Sequence, residues 1–137
     1  MAKINEARLI RAAVKARKLA CAPYSRFNVG AALLAGNNRI FTGANVESAS
    51  YGLTCCAERV ALFSALTRGA RGFKAIAIVA RHPGGPMPCG ACRQLLSEYA
   101  GDATVLVCDS MRPGKWQKYT VRQLLPGAFL TFASTSV

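Results

Sequence analysis

The sequence predicts an α/β fold: a three-layer α/β/α sandwich in which a mixed sheet of about five strands carries helices on both faces. Amphipathic stretches with helical spacing alternate along the chain with short apolar runs. Two of those runs, KAIAIVA at 74–80 and TVLVCD at 104–109, are apolar nearly throughout, as in strands covered on both sides. At 137 residues, 52% of them hydrophobic, the chain has enough apolar surface for a core of its own. It reads as one domain over residues 1–137, without repeats, linkers or low-complexity tracts.

Residues 5–20 place Ala7, Leu9, Ile10, Ala13, Val14, Ala16, Leu19 and Ala20 at helical spacing, with basic residues between them. CAPYSRF at 21–27 ends that helix, because Pro23 lacks an amide hydrogen and restricts Ala22 before it. FNVGAALL at 27–34 and IFTGANV at 40–46 flank the turn AGNNR and predict a hairpin. After the loop ESASYGLT, a second helix runs from Cys56 to Leu66 and stops at Arg68-Gly69. The strand at 74–80 leads through the loop RHPGGPMP into a third helix, CGACRQLLSEYA, which Gly101 ends. The strand at 104–109, the turn MRPGK, a last strand WQKYT and a short helix VRQLLPGAF broken at Pro126 complete the series.

Bulk properties narrow the functional classes. No apolar run reaches the roughly 20 residues of a membrane helix, and the charged N-terminal residues do not form the apolar core of a secretory signal. A soluble, cytoplasmic protein is expected. Six cysteines in a reducing compartment read as metal ligands or buried small hydrophobes rather than disulfides. The charge is strongly unbalanced: 18 Lys and Arg against six acids, formally +12. Such a surface favours polyanions, nucleic acid included. The basic residues cluster on the first helix, where no aromatic residues are interleaved to stack bases.

The chemistry concentrates in three places: Cys56-Ala57-Glu58 at a helix start, Pro88-Cys89 after the proline loop, and Cys92. Cys89 and Cys92 have the C-x-x-C spacing that brings two sulfurs to one metal. Alone, that spacing also fits a redox pair or half of a structural zinc site. A closed four-ligand site would draw on Cys55, Cys21, Cys108 or His82, the only histidine. Cys55 and Cys56 are adjacent at a helix start and point in different directions, which argues against both binding one ion. Three protein ligands with an open position describe a catalytic zinc, where the metal makes a water acidic enough to ionise near neutral pH. A neighbouring carboxylate that is not a ligand then moves protons, and Glu58 stands two residues beyond Cys56 for that task.

This constellation resembles the zinc-dependent cytidine deaminases, whose H-x-E…P-C-x-x-C pattern it follows with Cys56 in place of the histidine. That replacement is similar to the small homotetrameric form with three cysteine ligands. The resemblance covers about residues 20–129 through the blocks APYSRFNVGAAL, NVESASYGLTCCAER, PCGACRQ and LLPGAF, in the family's order. It implies one Zn2+ per chain on Cys56, Cys89 and Cys92, with Glu58 as general acid and base. It also implies that Phe27 stacks on the pyrimidine, that Asn45 and Glu47 hydrogen-bond the ribose, and that backbone near Ala57 and PMPCG reads the base. Arg59 would contact the ligand sulfurs. Ala49, Tyr51 and Phe129 match positions contributed by neighbouring subunits of a homotetramer with shared sites. Zinc with three thiolates carries a net negative charge, and two converging helix N-termini with Arg59, and either a supporting or a plain surface Arg93, are the expected offset.

The implied activity is hydrolytic deamination of cytidine and 2′-deoxycytidine in pyrimidine salvage, with a free nucleoside as the partner. Simpler readings stand beside these roles: Phe27 as plain core, Asn45 as a partner for turn backbone, Tyr51 and Phe129 as ordinary packing, and Cys21, Cys55 and Cys108 as buried small hydrophobes. A polynucleotide cytosine deaminase is favoured only by the charge, and Glu47 at the sugar argues against it. A deaminase of a nucleoside antibiotic or modified cytosine is a nearer alternative. A non-catalytic zinc-stabilised binding protein would leave Glu58 idle.

Overall fold

The Asn5 side chain accepts a hydrogen bond from the Arg8 amide and so starts α1 (Glu6–Arg17). The structure, a computed structural model, describes residues 3–131. Leu9, Ile10, Ala13 and Ala16 form the buried face of α1. The helix ends at Arg17, short of the expected residue 20, and Leu19 is 80% exposed rather than part of the apolar face. The cause is long-range: the Cys21 amide donates to Asn45 O at 2.9 Å and the Glu47 amide to Cys21 O at 2.8 Å. That pairing pulls the chain out of helical geometry before Pro23 is reached, and it leaves Cys21 exposed instead of buried.

β1 (Val29–Leu34) and β2 (Ile40–Ala44) form the expected antiparallel hairpin, in register from Gly30 opposite Ala44 to Leu34 opposite Ile40. β1 begins after Phe27, and β2 stops before Val46, which makes isolated bridges to Cys21 and Cys55 instead. α2 (Ala57–Thr67), β3 (Ala75–Ala80), α3 (Gly90–Tyr99), β4 (Thr104–Asp109), β5 (Trp116–Thr120) and α4 (Val121–Leu124) follow. The predicted loop before α2 contains a 3-10 turn at Tyr51–Leu53, and the last helix is shorter than 121–129. Thr120 and Gln123 close a capping box on α4.

The sheet runs β2-β1-β3-β4-β5. β3 and β4 pair in parallel and the other neighbours antiparallel, so the sheet is mixed, as predicted. Parallel neighbours need a crossover, which α3 supplies. Alternation along the strands divides the core in two. Ala32, Leu34, Ala77, Val79 and Leu106 pack under α1. Ala31, Leu33, Ile76, Ile78, Val105 and Val107 pack under α2 and α3. Two glycines set the helix-to-sheet distance. A Cβ on Gly30 would lie 2.1 Å from Ala13 O in α1, and one on Gly43 would lie 2.5 Å from Ala61 N in α2. Only glycine allows such close approach. α2, which carries the Cys56-Ala57-Glu58 block at its head, is thereby seated flush on β2.

Candidate active site

Cys56 is the N-cap residue of α2 and Cys89 the N-cap residue of α3. Neither side chain caps its own helix. The two helices therefore begin at the sulfur cluster, and the positive ends of both helix dipoles lie beside it. Cys92, fully buried, follows in the first turn of α3. The Cys56 and Cys89 sulfurs are 3.8 Å apart, those of Cys89 and Cys92 3.5 Å, and all three ligand atoms lie within 4.8 Å of one another. Zn–S bonds of about 2.3 Å in a tetrahedral site place sulfurs about 3.8 Å apart, so the cluster fits a zinc ion with a fourth position left to a non-protein ligand. Cys55, Cys21, Cys108 and His82 are outside this group. Cys55 exchanges backbone hydrogen bonds with Val46, and its thiol faces Cys56 O at 3.8 Å. The exposed His82 ring bonds Pro83 O at 3.0 Å.

Glu58 lies in the first turn of α2 and is 5% exposed. Considering the side chains alone, burial pushes its carboxyl up to about 7, the Cys56 charge adds to this, and its own amide, Cys92 and Arg59 pull it back. The thiols divide their protons unequally. A hydrogen bond from Cys92 pulls Cys56 down, with Arg59 adding to the effect, and the same contact with burial pushes Cys92 up. A metal ion resolves that competition by deprotonating all of its thiol ligands.

Arg59 Nη2 donates to Cys56 Sγ at 3.6 Å and to Thr54 O at 3.2 Å. It thus supplies positive charge at the sulfurs, as expected. Arg93 is half-buried rather than a plain surface side chain. Its Nε donates to Pro88 O at 2.8 Å and its Nη1 to Leu124 O at 3.1 Å, so it clamps the loop before Cys89 to the end of α4.

A cleft of about 190 Å³ opens beside Glu58, lined by Phe27, Asn45, Cys56, Ala57, Pro86 and Met87 among others. A second cavity, about 290 Å³ and bounded by Tyr24, Ser25, Glu47 and Tyr51, shares Thr54 with it. A larger cavity of about 420 Å³ lies elsewhere, at Arg112 and Trp116, but among the described residues no metal-ligating cluster adjoins it. Phe27 precedes β1 and is 40% exposed, so it is a cleft wall and not plain core. Asn45 Oδ1 accepts from the Val29 amide at 2.9 Å and Nδ2 donates to Phe27 O at 2.8 Å. It braces backbone, yet one N–H and one lone pair of its amide remain for a ligand. Glu47 accepts from the amides of Tyr24 and Ser25, both at 3.0 Å, and from the Ser25 hydroxyl. Ala49 and Tyr51 are both exposed, Tyr51 at 90%, and of the two only Tyr51 lines the second cavity. Phe129, 61% exposed, does not line the cleft of its own chain, and its carbonyl accepts from Gln94 Nε2 at 2.6 Å. Ser25 and Thr54 were missed from sequence. The only signal for them was membership of the quoted blocks, because isolated hydroxyl residues carry no pattern.

Residues 3–108 match the family model described as the cytidine and deoxycytidylate deaminase zinc-binding region. The chain belongs to this deaminase family. A protein of Halalkalibacterium halodurans named cytidine deaminase is 50% identical over 121 residues, spanning 88% of this chain and 91% of its own. The crystal structure of cytidine deaminase from Burkholderia pseudomallei superposes with a TM-score of 0.86 at 46% identity, covering 92% of this chain and 100% of that one. That of Mycobacterium tuberculosis gives 0.79 at 37% identity, covering 93% and 98%. The family model's zinc-binding region and the spacing of the three sulfurs agree on the cofactor: zinc.

Proposed function

We propose that this enzyme hydrolytically deaminates cytidine and 2′-deoxycytidine to uridine and 2′-deoxyuridine with release of ammonia. The observation that carries the reading is a buried carboxylate, Glu58, beside three converging sulfurs at the floor of an aromatic-walled cleft. When bound, zinc supplies a Lewis acid that lowers the pKa of a water molecule toward neutrality. The chain's own groups do the rest. Glu58 takes a proton from the attacking water and passes it to N3 of the pyrimidine as the oxygen bonds to C4. It then carries the remaining hydroxyl proton to the 4-amino group, the C4–N bond breaks, and ammonia leaves. Burial raises the Glu58 carboxyl, the direction that helps one group act first as base and then as acid.

Phe27 stacks on the base, and backbone at Ala57 and the Pro86–Cys89 segment holds its polar edge. The unused N–H and lone pair of Asn45 bond a ribose hydroxyl. Glu47 accepts from the neighbouring hydroxyl with its unused lone pair, and its charge repels a phosphate placed there. Free nucleosides are therefore the substrates, in the cytoplasmic salvage of pyrimidines. No helix of the described residues is long and apolar enough to cross a membrane. The working form is a homotetramer in which Ala49, Tyr51 and Phe129 reach a neighbour's cleft. The exposure of Tyr51, Leu53 and Phe129 supports this, since large apolar side chains on the surface gain by being covered.

A parallel absorbance assay on cytidine, deoxycytidine, cytidine monophosphate and a cytosine-containing oligonucleotide tests the reading. Turnover of the two nucleosides alone is expected. Preference for the oligonucleotide, or zinc-loaded protein inert on all four, overturns it.

A further inference from the structure

The solvent face of α1 takes no part in the proposed deamination. Arg8, Arg11, Lys15 and Lys18 are all exposed, and their spacing of three, four and three residues aligns them in one stripe opposite Leu9, Ile10, Ala13 and Ala16. Like charges at these spacings are neighbours on a helix and repel. Among the described residues no carboxylate pairs with them. The one acid on α1, Glu6, accepts from Trp116 Nε1 at 3.0 Å and pairs with Lys118. Among the described residues the other ion pair joins Arg122 to Asp102, away from α1. At the head of the stripe a cavity of about 230 Å³ adds Lys3 and Lys74 beside Arg8.

We infer that this stripe is a docking surface for the phosphate backbone of a polynucleotide, without sequence preference. From Arg8 to Lys18 the rise is about 15 Å, which faces about four phosphates of one strand, one per cation. The apolar face of α1 is spent on the sheet, so the helix has nothing to insert into a bilayer. The stripe itself holds no aromatic anchor of the kind a protein partner uses. The sulfur cluster belongs to α2 and α3, on the opposite face of the sheet. A strand lying along α1 is thus kept out of the same subunit's cleft, and docking localises the enzyme without making the polynucleotide a substrate.

The test is fluorescence anisotropy of a labelled oligouridylate against salt, using the zinc-loaded protein. For four phosphate contacts on a single strand, log affinity should fall against log salt with a slope of about −3. The variant R11E/K15E should bind at least tenfold more weakly and lose about half of that slope, while turning over cytidine normally. The charge-matched variant R68E/K115E, on other exposed surfaces, should keep both affinity and slope. Equal weakening in the two variants would reduce the effect to diffuse net charge and overturn the stripe. Binding of anionic vesicles or polyglutamate as tightly as the oligouridylate would overturn the occupant. If R11E/K15E perturbs folding, R11Q/K15Q gives the same comparison at half the charge change.

Discussion

Glu58 and its neighbours show how much one helix turn decides. Cys55 and Cys56 are chemically identical, but the first exchanges backbone bonds with Val46 while the second stands at the N-cap position of α2 and meets Cys89. Cys55→Ala should therefore retain zinc and Cys56→Ala should lose it, measured by metal analysis after gel filtration. Asn45 has two loads to bear. Asn45→Ala removes the braces to Val29 and Phe27, so it should cost about 1–3 kcal/mol of stability and raise KM through a displaced Phe27. A raised KM with unchanged thermal stability would contradict the bracing role. Glu47 yields a pH dependence. The Ser25 hydroxyl and the Ser25 and Tyr24 amides hold it below the usual carboxylate range. A lowered folded pKa means stabilisation present above the ordinary value and lost as pH falls through the lowered one. Protection of the Tyr24 and Ser25 amides against hydrogen exchange, taken relative to their intrinsic rates, should therefore fall as acid protonates Glu47, and Glu47→Gln should flatten that response. The metal ligands and Glu58 were legible because their spacing is chemically constrained. Arg93 was not, since nothing in the chain tells that Pro88 O and Leu124 O converge on it.

At the scale of elements, the strands and helices were readable wherever burial alone dictates the pattern. The fully buried β3 and the stripe of Leu9, Ile10, Ala13 and Ala16 are examples. The end of α1 and the 3-10 turn at Tyr51–Leu53 were not. Each is set by partners distant in sequence or by local backbone bonds, such as Cys21 to Asn45 and Leu53 N to Ser50 O. The glycine contacts make the coupling between packing and chemistry testable. Gly43→Ala drives a Cβ into the backbone of α2 and should cost about 1–3 kcal/mol. Because α2 carries Cys56 and Glu58, it should also lower turnover per folded molecule. Gly30→Ala strains α1 on the other face and should lower stability without that loss. Chemical denaturation and activity on the same samples separate the two outcomes.

The two faces of the one sheet carry different groups. The face under α2 and α3 holds the metal cluster and the cleft, and the face under α1 presents the cations. Composition announced the excess of positive charge, but only the fold shows that its densest stripe lies opposite the chemistry. The proposed homotetramer belongs to this scale. If Tyr51 and Phe129 complete a neighbour's site, specific activity should fall in parallel with the tetramer fraction on dilution, followed by mass photometry. A fully active monomer would return both residues to ordinary packing.

The most direct measurement is zinc content and cytidine turnover on one preparation of Glu58→Ala. The account predicts about one zinc per chain, as in the unaltered protein, with turnover reduced roughly a hundred- to ten-thousand-fold. Turnover near that of the unaltered enzyme, with zinc in place, would contradict the proton-transfer role on which the mechanism rests.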